Sequence, residues 1–279
     1  MAQDILYLLA PQWQGSAHEN ARQLYKGAWQ LQAILSKLAF ESVAINPDEK
    51  SDRQSGIEAY ADVLRHMQDV RTLLQKHRPE TIVTIGGDCS VDLGPVSYLN
   101  AQYGDKLAVI WLDAHSDLNT PQSSPGGGFH GMVLRSLLGE GEKELLEHSF
   151  STLSPDQIFL AGVRAFDKPE LAYHEEHRIK LFRVHDLEKH PEMLIEGIQA
   201  RGFNKVHIHL DLDVLEPSKF SSINYPTLDG LSPEGLMIVL QALSAAFDVV
   251  GLSLTEYAPK SPDDEMILER ILSVAPLIK

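Results

Sequence analysis

The chain has 279 residues, 43% hydrophobic and 23% charged, with 19 Gly and 15 Pro; this is ordinary globular usage with enough apolar material for a deep core, and it excludes collagen-like, mucin-like and disordered chains. Lys and Arg number 24 against 39 Asp and Glu, a formal net charge of −15, so neither nucleic acid nor an anionic membrane is expected as a partner. The single cysteine, Cys89, leaves no internal disulfide, the start MAQDILYLLAPQWQGS lacks a basic leader with a long apolar region, and no apolar run approaches the ~18 to 20 residues that cross a bilayer; a soluble, cytoplasmic protein is the expectation.

Short β-branched or apolar runs alternate with stretches of helical spacing, the pattern of a parallel sheet with crossover helices. In chain order the reading is a strand over 4–9, a helix near 20–39, a strand over 42–45, a helix near 56–76, a strand over 81–85, a helix near 91–103 and a strand over 107–112. A helix near 132–138 follows, then strands over 157–161 and 180–184, a helix near 193–201, a strand over 205–210, a helix near 233–246, a strand over 249–254 and a last helix near 265–275. Ser232-Pro233-Glu234 and Ser261-Pro262-Asp263-Asp264 each set a capping hydroxyl before a proline at the first helical position. Without repeats, low-complexity tracts or linkers, one domain over 1–279 is expected.

The longest aperiodic stretch, NTPQSSPGGGF at 119–129, leaves the carboxyl end of a strand, where open parallel sheets place their ligands. At that strand end stands Asp113-Ala114-His115-Ser116-Asp117, with potential ligands at alternate positions that share one face of an extended chain. A second cluster, Asp211-Leu212-Asp213, follows the strand-like run Val206-His207-Ile208-His209-Leu210. Carboxylates pointing the same way repel unless a cation lies between them. Asp113, Asp117, Asp211 and Asp213 with His115 make an oxygen-rich set that suits Mn²⁺ and can neutralise two divalent ions, the arrangement that activates water for hydrolysis at neutral pH. His207 and His209 lie earlier in the strand, so both are expected to be core histidines or supports for the ligands.

These residues resemble the arginase and agmatinase ureohydrolases, the arginase branch above all. The motifs that carry the resemblance are Gly86-Gly87-Asp88-Cys89-Ser90, the run from Asp113 through Leu118-Asn119-Thr120-Pro121, His130-Gly131-Met132, Gly162-Val163-Arg164, Asp211-Leu212-Asp213-Val214-Leu215-Glu216-Pro217 and Glu256-Tyr257-Ala258-Pro259. The resemblance implies a three-layer αβα sandwich with a mainly parallel eight-stranded sheet, two Mn²⁺ per chain, trimers or hexamers, and cleavage of a guanidino amino acid to urea and an amine. By position, Asp113 and Asp211 would bridge the metals, Asp117 with Cys89 would complete one site, and His115 with Asp213 the other, around a bridging hydroxide as nucleophile. Glu256 would grip the guanidinium and His130 would shuttle a proton. Asn119 matches a position that reads the substrate α-carboxylate, Asp167 one that faces the α-amino group, and Ser124 lies in the loop where arginases place substrate-binding side chains.

Two departures stand out. The family ordinarily has His where Cys89 stands, and a thiolate suits Zn²⁺ or Fe²⁺ better than Mn²⁺, which leaves a weak first site, a different metal there, or a mononuclear enzyme. Some arginase-like enzymes that hydrolyse Nω-hydroxyarginine share that cysteine, which makes hydroxyarginine an alternative substrate beside arginine and other guanidino or formimino compounds. The loop Ser123-Ser124-Pro125-Gly126-Gly127-Gly128-Phe129 also replaces side-chain donors with glycine. A non-catalytic binding protein of this fold would have no reason to retain His130, Glu256 and the aspartates together, and a zinc deacetylase of related fold would leave Asp117 and Asp213 without a task.

Overall fold

A computed structural model of the chain describes residues 4–278. Its eight strands are β1 (Ile5–Ala10), β2 (Phe40–Ser42), β3 (Thr81–Gly86), β4 (Leu107–Leu112), β5 (Ile158–Ala161), β6 (Lys180–Phe182), β7 (Lys205–Asp211) and β8 (Asp248–Thr255). They form one sheet in the order β2-β1-β3-β8-β7-β4-β5-β6, every neighbouring pair parallel.

Side chains alternate across the pleat and build a core on each face. In β4, Ala108, Ile110 and Leu112 join one core, while Leu107, Val109 and Trp111 join the other. The first face is covered by α1 (Arg22–Ile34), α7 (Val184–Lys189), α8 (Glu192–Gln199), α9 (Pro233–Ala246) and α10 (Pro262–Val274), the second by α2 (Tyr60–His77), α3 (Leu93–Tyr103), α4 (Val133–Leu137), α5 (Lys143–Leu146) and α6 (Lys168–His177). This is the expected αβα sandwich. Among the described residues no helix is long and apolar enough to cross a membrane.

The expected caps form: Ser232 Oγ accepts from the Gly235 N–H at 3.0 Å and Ser261 Oγ from Asp263 N–H at 3.2 Å, so α10 starts at Pro262 rather than 265. Five elements differ. β2 lies earlier than 42–45, pairing Tyr7 with Phe40 and Leu9 with Ser42. Val184 opens α7 instead of closing β6. α5, α6 and α7 were not expected, because they bury too few apolar side chains to show a period: α6 buries only Glu170 and Tyr173. The available signal was the capping box of Asp167 and Glu170 around Pro169.

Because the strands are all parallel, their carboxyl ends open on one edge of the sheet. The middle four, β3, β8, β7 and β4, deliver the Gly87–Cys89 turn, Glu256, Asp211–Asp213 and Asp113–Asp117 to neighbouring places on that edge. They are far apart in the chain; the sheet order alone brings them together.

Candidate metal centre and active site

The site is built by short hydrogen bonds at the strand ends. His115 N–H donates to Asp113 Oδ1 (2.6 Å), Ala114 N–H to Asp213 Oδ1 (3.0 Å) and Asp213 N–H to Asp211 Oδ1 (2.7 Å). Arg164 clamps the turn after β7, donating to the carbonyls of Asp213 (3.0 Å) and Thr227 (2.7 Å), which explains the Gly162-Val163-Arg164 motif as scaffold.

Two sets of ligand-type atoms result, each with its members within 4.8 Å of one another: Asp113, His115 and Asp213, and Cys89, Asp113, His209 and Asp211. Asp113 belongs to both. His115 Nδ1 lies 2.9 Å from Asp213 Oδ2 and 3.5 Å from Asp113 Oδ1, and the Cys89 thiol donates to Asp211 Oδ2 at 3.1 Å. Asp117 is buried beside them in the left-handed region at φ 51°. It lies outside both sets, and its Oδ2 has no partner among the described residues.

Electrostatically this floor is a hole waiting for positive charge. Burial first, then the neighbouring carboxylates, push the acids of Asp117, Asp211, Asp213 and Glu256 and the Cys89 thiol upward. Burial opposes charge on His115 too, but Asp213 and Asp113 outweigh it and raise its pKa. Buried acids that cannot all ionise together, around unpartnered oxygens, fit divalent cations.

Above the floor, Glu256 is 1% exposed, and neither of its carboxylate oxygens has a hydrogen-bond partner among the described residues. Its backbone sits at φ 62° and its N–H donates to the Gly87 carbonyl at 2.7 Å, tying it to the Cys89 turn. His130 Nδ1 lies 3.9 Å from Glu256 Oε1. Its ring stacks on Tyr225 at 5.1 Å between centroids, and burial, with His115 nearby, lowers its pKa to about 3.

A cavity of about 250 Å³ runs from this floor to a rim that includes Asn119, Ser124, Gly126, Gly128, Asp167 and Glu170. Asn119 Nδ2 donates to Asp167 Oδ2 (2.9 Å) while its Oδ1 accepts from Ser123 Oγ (2.7 Å). Glu170 holds the rim from below, accepting from the N–H groups of Leu118 (3.0 Å) and Asp167 (2.8 Å). Ser124 Oγ accepts from Gly127 N–H at 3.0 Å, so that amide is spent inside the loop. Sequence reasoning missed Tyr225, which carries no local signal, and set His209 aside; its alternation with Asp211 along β7 was the available clue.

The pattern of the Arginase family matches residues 16–270. The chain belongs to the arginase family. The arginase of Staphylococcus aureus (strain COL) is 34% identical over 242 residues, 83% of this chain and 78% of that protein. Among solved structures, the arginase of Bacillus caldovelox superposes with a TM-score of 0.84 at 23% identity, covering 98% of this chain and 97% of that one. The formimidoylglutamase of Bacillus subtilis subsp. subtilis str. 168 does so at 0.71 and 18% identity, covering 99% and 90%. Like its arginase-family relatives, the protein is a metal-dependent hydrolase of linear amidines acting on a small molecule, with the buried cluster of Cys89, Asp113, His209 and Asp211 able to hold metal.

Proposed function

We propose that the chain is a manganese-dependent arginase that converts L-arginine to urea and L-ornithine. The observation that carries this reading is Glu256: a buried carboxylate with both oxygens unpartnered, 3.9 Å from the cavity-lining His130, is a socket for a planar cation. In this reading Asp113 and Asp211 would serve both ions, Asp117 and Cys89 would hold one, and His115 with Asp213 would hold the other. When bound, the ions supply Lewis-acid activation of water. Glu256 would grip the guanidinium N–H groups and so orient the guanidinium carbon toward the metal-ligand residues. His130 is neutral at working pH, so its imidazole would take a proton that originates in the attacking water and pass it to the nitrogen whose bond to the guanidinium carbon breaks; that nitrogen leaves as the amine of ornithine, and the carbon, now bonded to oxygen, leaves as urea. Asn119 and Asp167, paired at the rim, suit the α-carboxylate and α-amino groups, and Ser124 lines the approach.

A second reading is favoured by Cys89: a hydroxyguanidine is less basic than a guanidine and more readily attacked, so Nω-hydroxy-L-arginine, giving hydroxyurea and ornithine, needs less help from a site that has exchanged imidazole for thiol. The reading includes one catalytic domain over the whole chain, a cytoplasmic enzyme, and a trimer or hexamer as resemblance implies. The test is product release from arginine, Nω-hydroxyarginine, agmatine and formiminoglutamate with Mn²⁺ supplied. Arginine as the best substrate supports the first reading, hydroxyarginine the second; agmatine or formiminoglutamate would overturn both.

A further inference from the structure

The residue that stands out beyond this machinery is His209, on the same face of β7 as Asp211. Its ring is fully buried and held from two directions. The plane is set by Trp111, stacked at 3.5 Å between centroids and 7° between planes. The rotation is set by Asp92, whose Oδ2 lies 2.6 Å from His209 Nδ1. Asp92 is anchored in turn by His207 Nε2 at 3.3 Å and by the Ser253 hydroxyl. Gly251 makes this possible, because a Cβ there would land on the His207 ring.

With Nδ1 turned to Asp92, Nε2 is left on the side of Asp113, and His209 offers a ring nitrogen within 4.8 Å of a ligand atom from each of Cys89, Asp113 and Asp211. Nε2 has no hydrogen-bond partner among the described residues. The nearest carboxylate oxygen, Asp113 Oδ2, is 3.8 Å away and already accepts from Trp111 Nε1 at 3.0 Å. An imidazole bonded to a carboxylate at one nitrogen, with the other bare among carboxylates and a thiol, is the arrangement of a metal-binding histidine with its orienting partner.

We propose that His209 Nε2 is the nitrogen ligand of the ion held by Cys89, Asp113 and Asp211, oriented by Asp92. The imidazole that the family carries at the position of Cys89 is thereby returned to the same ion from β7, two strands along the sheet from β3, and Cys89 and Asp92 come from a single turn, Cys89–Asp92. The set of one thiolate, one imidazole and two carboxylates, to which Asp117 would add a third carboxylate in the reading above, takes a borderline divalent ion such as Zn²⁺, Fe²⁺ or Co²⁺, whereas Asp113, His115 and Asp213 form the harder site. The inference rests on the metal-dependent reading above, but not on which amidine is cleaved.

The test titrates the metal-free protein with Co²⁺, counting bound ions by elemental analysis and following the thiolate-to-cobalt charge-transfer band that reports Cys89. His209→Asn keeps a donor for Asp92 but withdraws the ring nitrogen. It is expected to bind one ion where wild type binds two, with the band lost and the remaining ion's affinity unchanged. Asp92→Asn, which keeps His209, guards against a variant that fails to fold and is expected to weaken the thiolate-bound ion by about 10- to 100-fold. Two ions bound with wild-type affinity and band in His209→Asn, or unchanged affinity in Asp92→Asn, overturns the proposal. Two ions in wild type without amidine cleavage would instead overturn the proposed function and leave the ligand assignment standing.

Discussion

Replacing Glu256 by Gln removes one charge and preserves the shape of the side chain. Glu256 is 1% exposed and is held by its backbone, at φ 62° with its N–H on the Gly87 carbonyl, so the amide should occupy the same place. In the proposed function, what is lost is a charge-assisted, two-toothed grip on the guanidinium by a buried carboxylate. Withdrawing one partner of such a buried pair costs about 2 to 5 kcal/mol, and at 1.36 kcal/mol per decade the central part of that range is a fall of about two to three orders of magnitude in kcat/KM. Because Gln replaces a buried acid with no partner, the thermal midpoint of the metal-free protein should not drop. The assay is ornithine release against arginine concentration, with metal content measured on the same samples. A smaller loss is expected on Nω-hydroxyarginine, whose hydroxyguanidine is less cationic. A kcat/KM on arginine within tenfold of wild type, at equal metal content, would refute the assignment of Glu256 as the guanidinium socket.

Gly87→Ala should abolish most activity, since a Cβ there would overlap the Gln12 carbonyl and force away the turn that carries Cys89 and anchors Glu256; full turnover by a well-folded variant would contradict this. His66, buried on α2 without a partner for either ring nitrogen among the described residues, has its pKa lowered to about 4 by burial. The unfolded chain therefore takes up this proton first, and stability is lost as pH falls from about 6.5 to about 4, by roughly 3 kcal/mol. Urea titrations at pH 7.5 and 4.5 should show that His66→Leu loses less stability on acidification than wild type, and equal losses would count against it. Adding Mn²⁺ to metal-free protein at a hundredfold excess over Kd should stabilise it by about 2.7 kcal/mol, raising Tm by about 5 to 10 °C, and a chelator should reverse this; no shift with any divalent ion would remove the metal centre. Asn119→Ala should raise KM for arginine more than it lowers kcat, because it breaks the pairing with Asp167 at the rim without touching the floor; a fall in kcat at constant KM would place Asn119 elsewhere.

Much of the fold and site was legible in the sequence for a physical reason. A parallel strand buried on both faces must be a continuous apolar run, and its carboxyl end is the first place where charge can emerge. Leu107–Leu112 followed by Asp113, and Val206–Leu210 followed by Asp211, therefore announced both strand and site together. Helices with strong start signals, such as Pro233–Ala246, were equally plain, whereas α6 was hidden because it buries little apolar surface.

Local sequence cannot say which strand ends become neighbours. β3 and β4 follow one another in the chain, yet β8 and β7 pair between them, and only that insertion puts Glu256 and Asp211 beside Cys89 and Asp113. The standing of His209 was decided in the same way. A histidine on a strand face reads as a satisfied core residue until the tertiary structure supplies Asp92 from another strand's turn, closes one ring nitrogen and leaves the other facing the cluster. The residues that form the site were determined by the sequence, because burial patterns and strand ends are local properties. Their partners were decided by the tertiary structure, because hydrogen bonding and charge neutralisation in a buried site depend on groups contributed by distant parts of the chain.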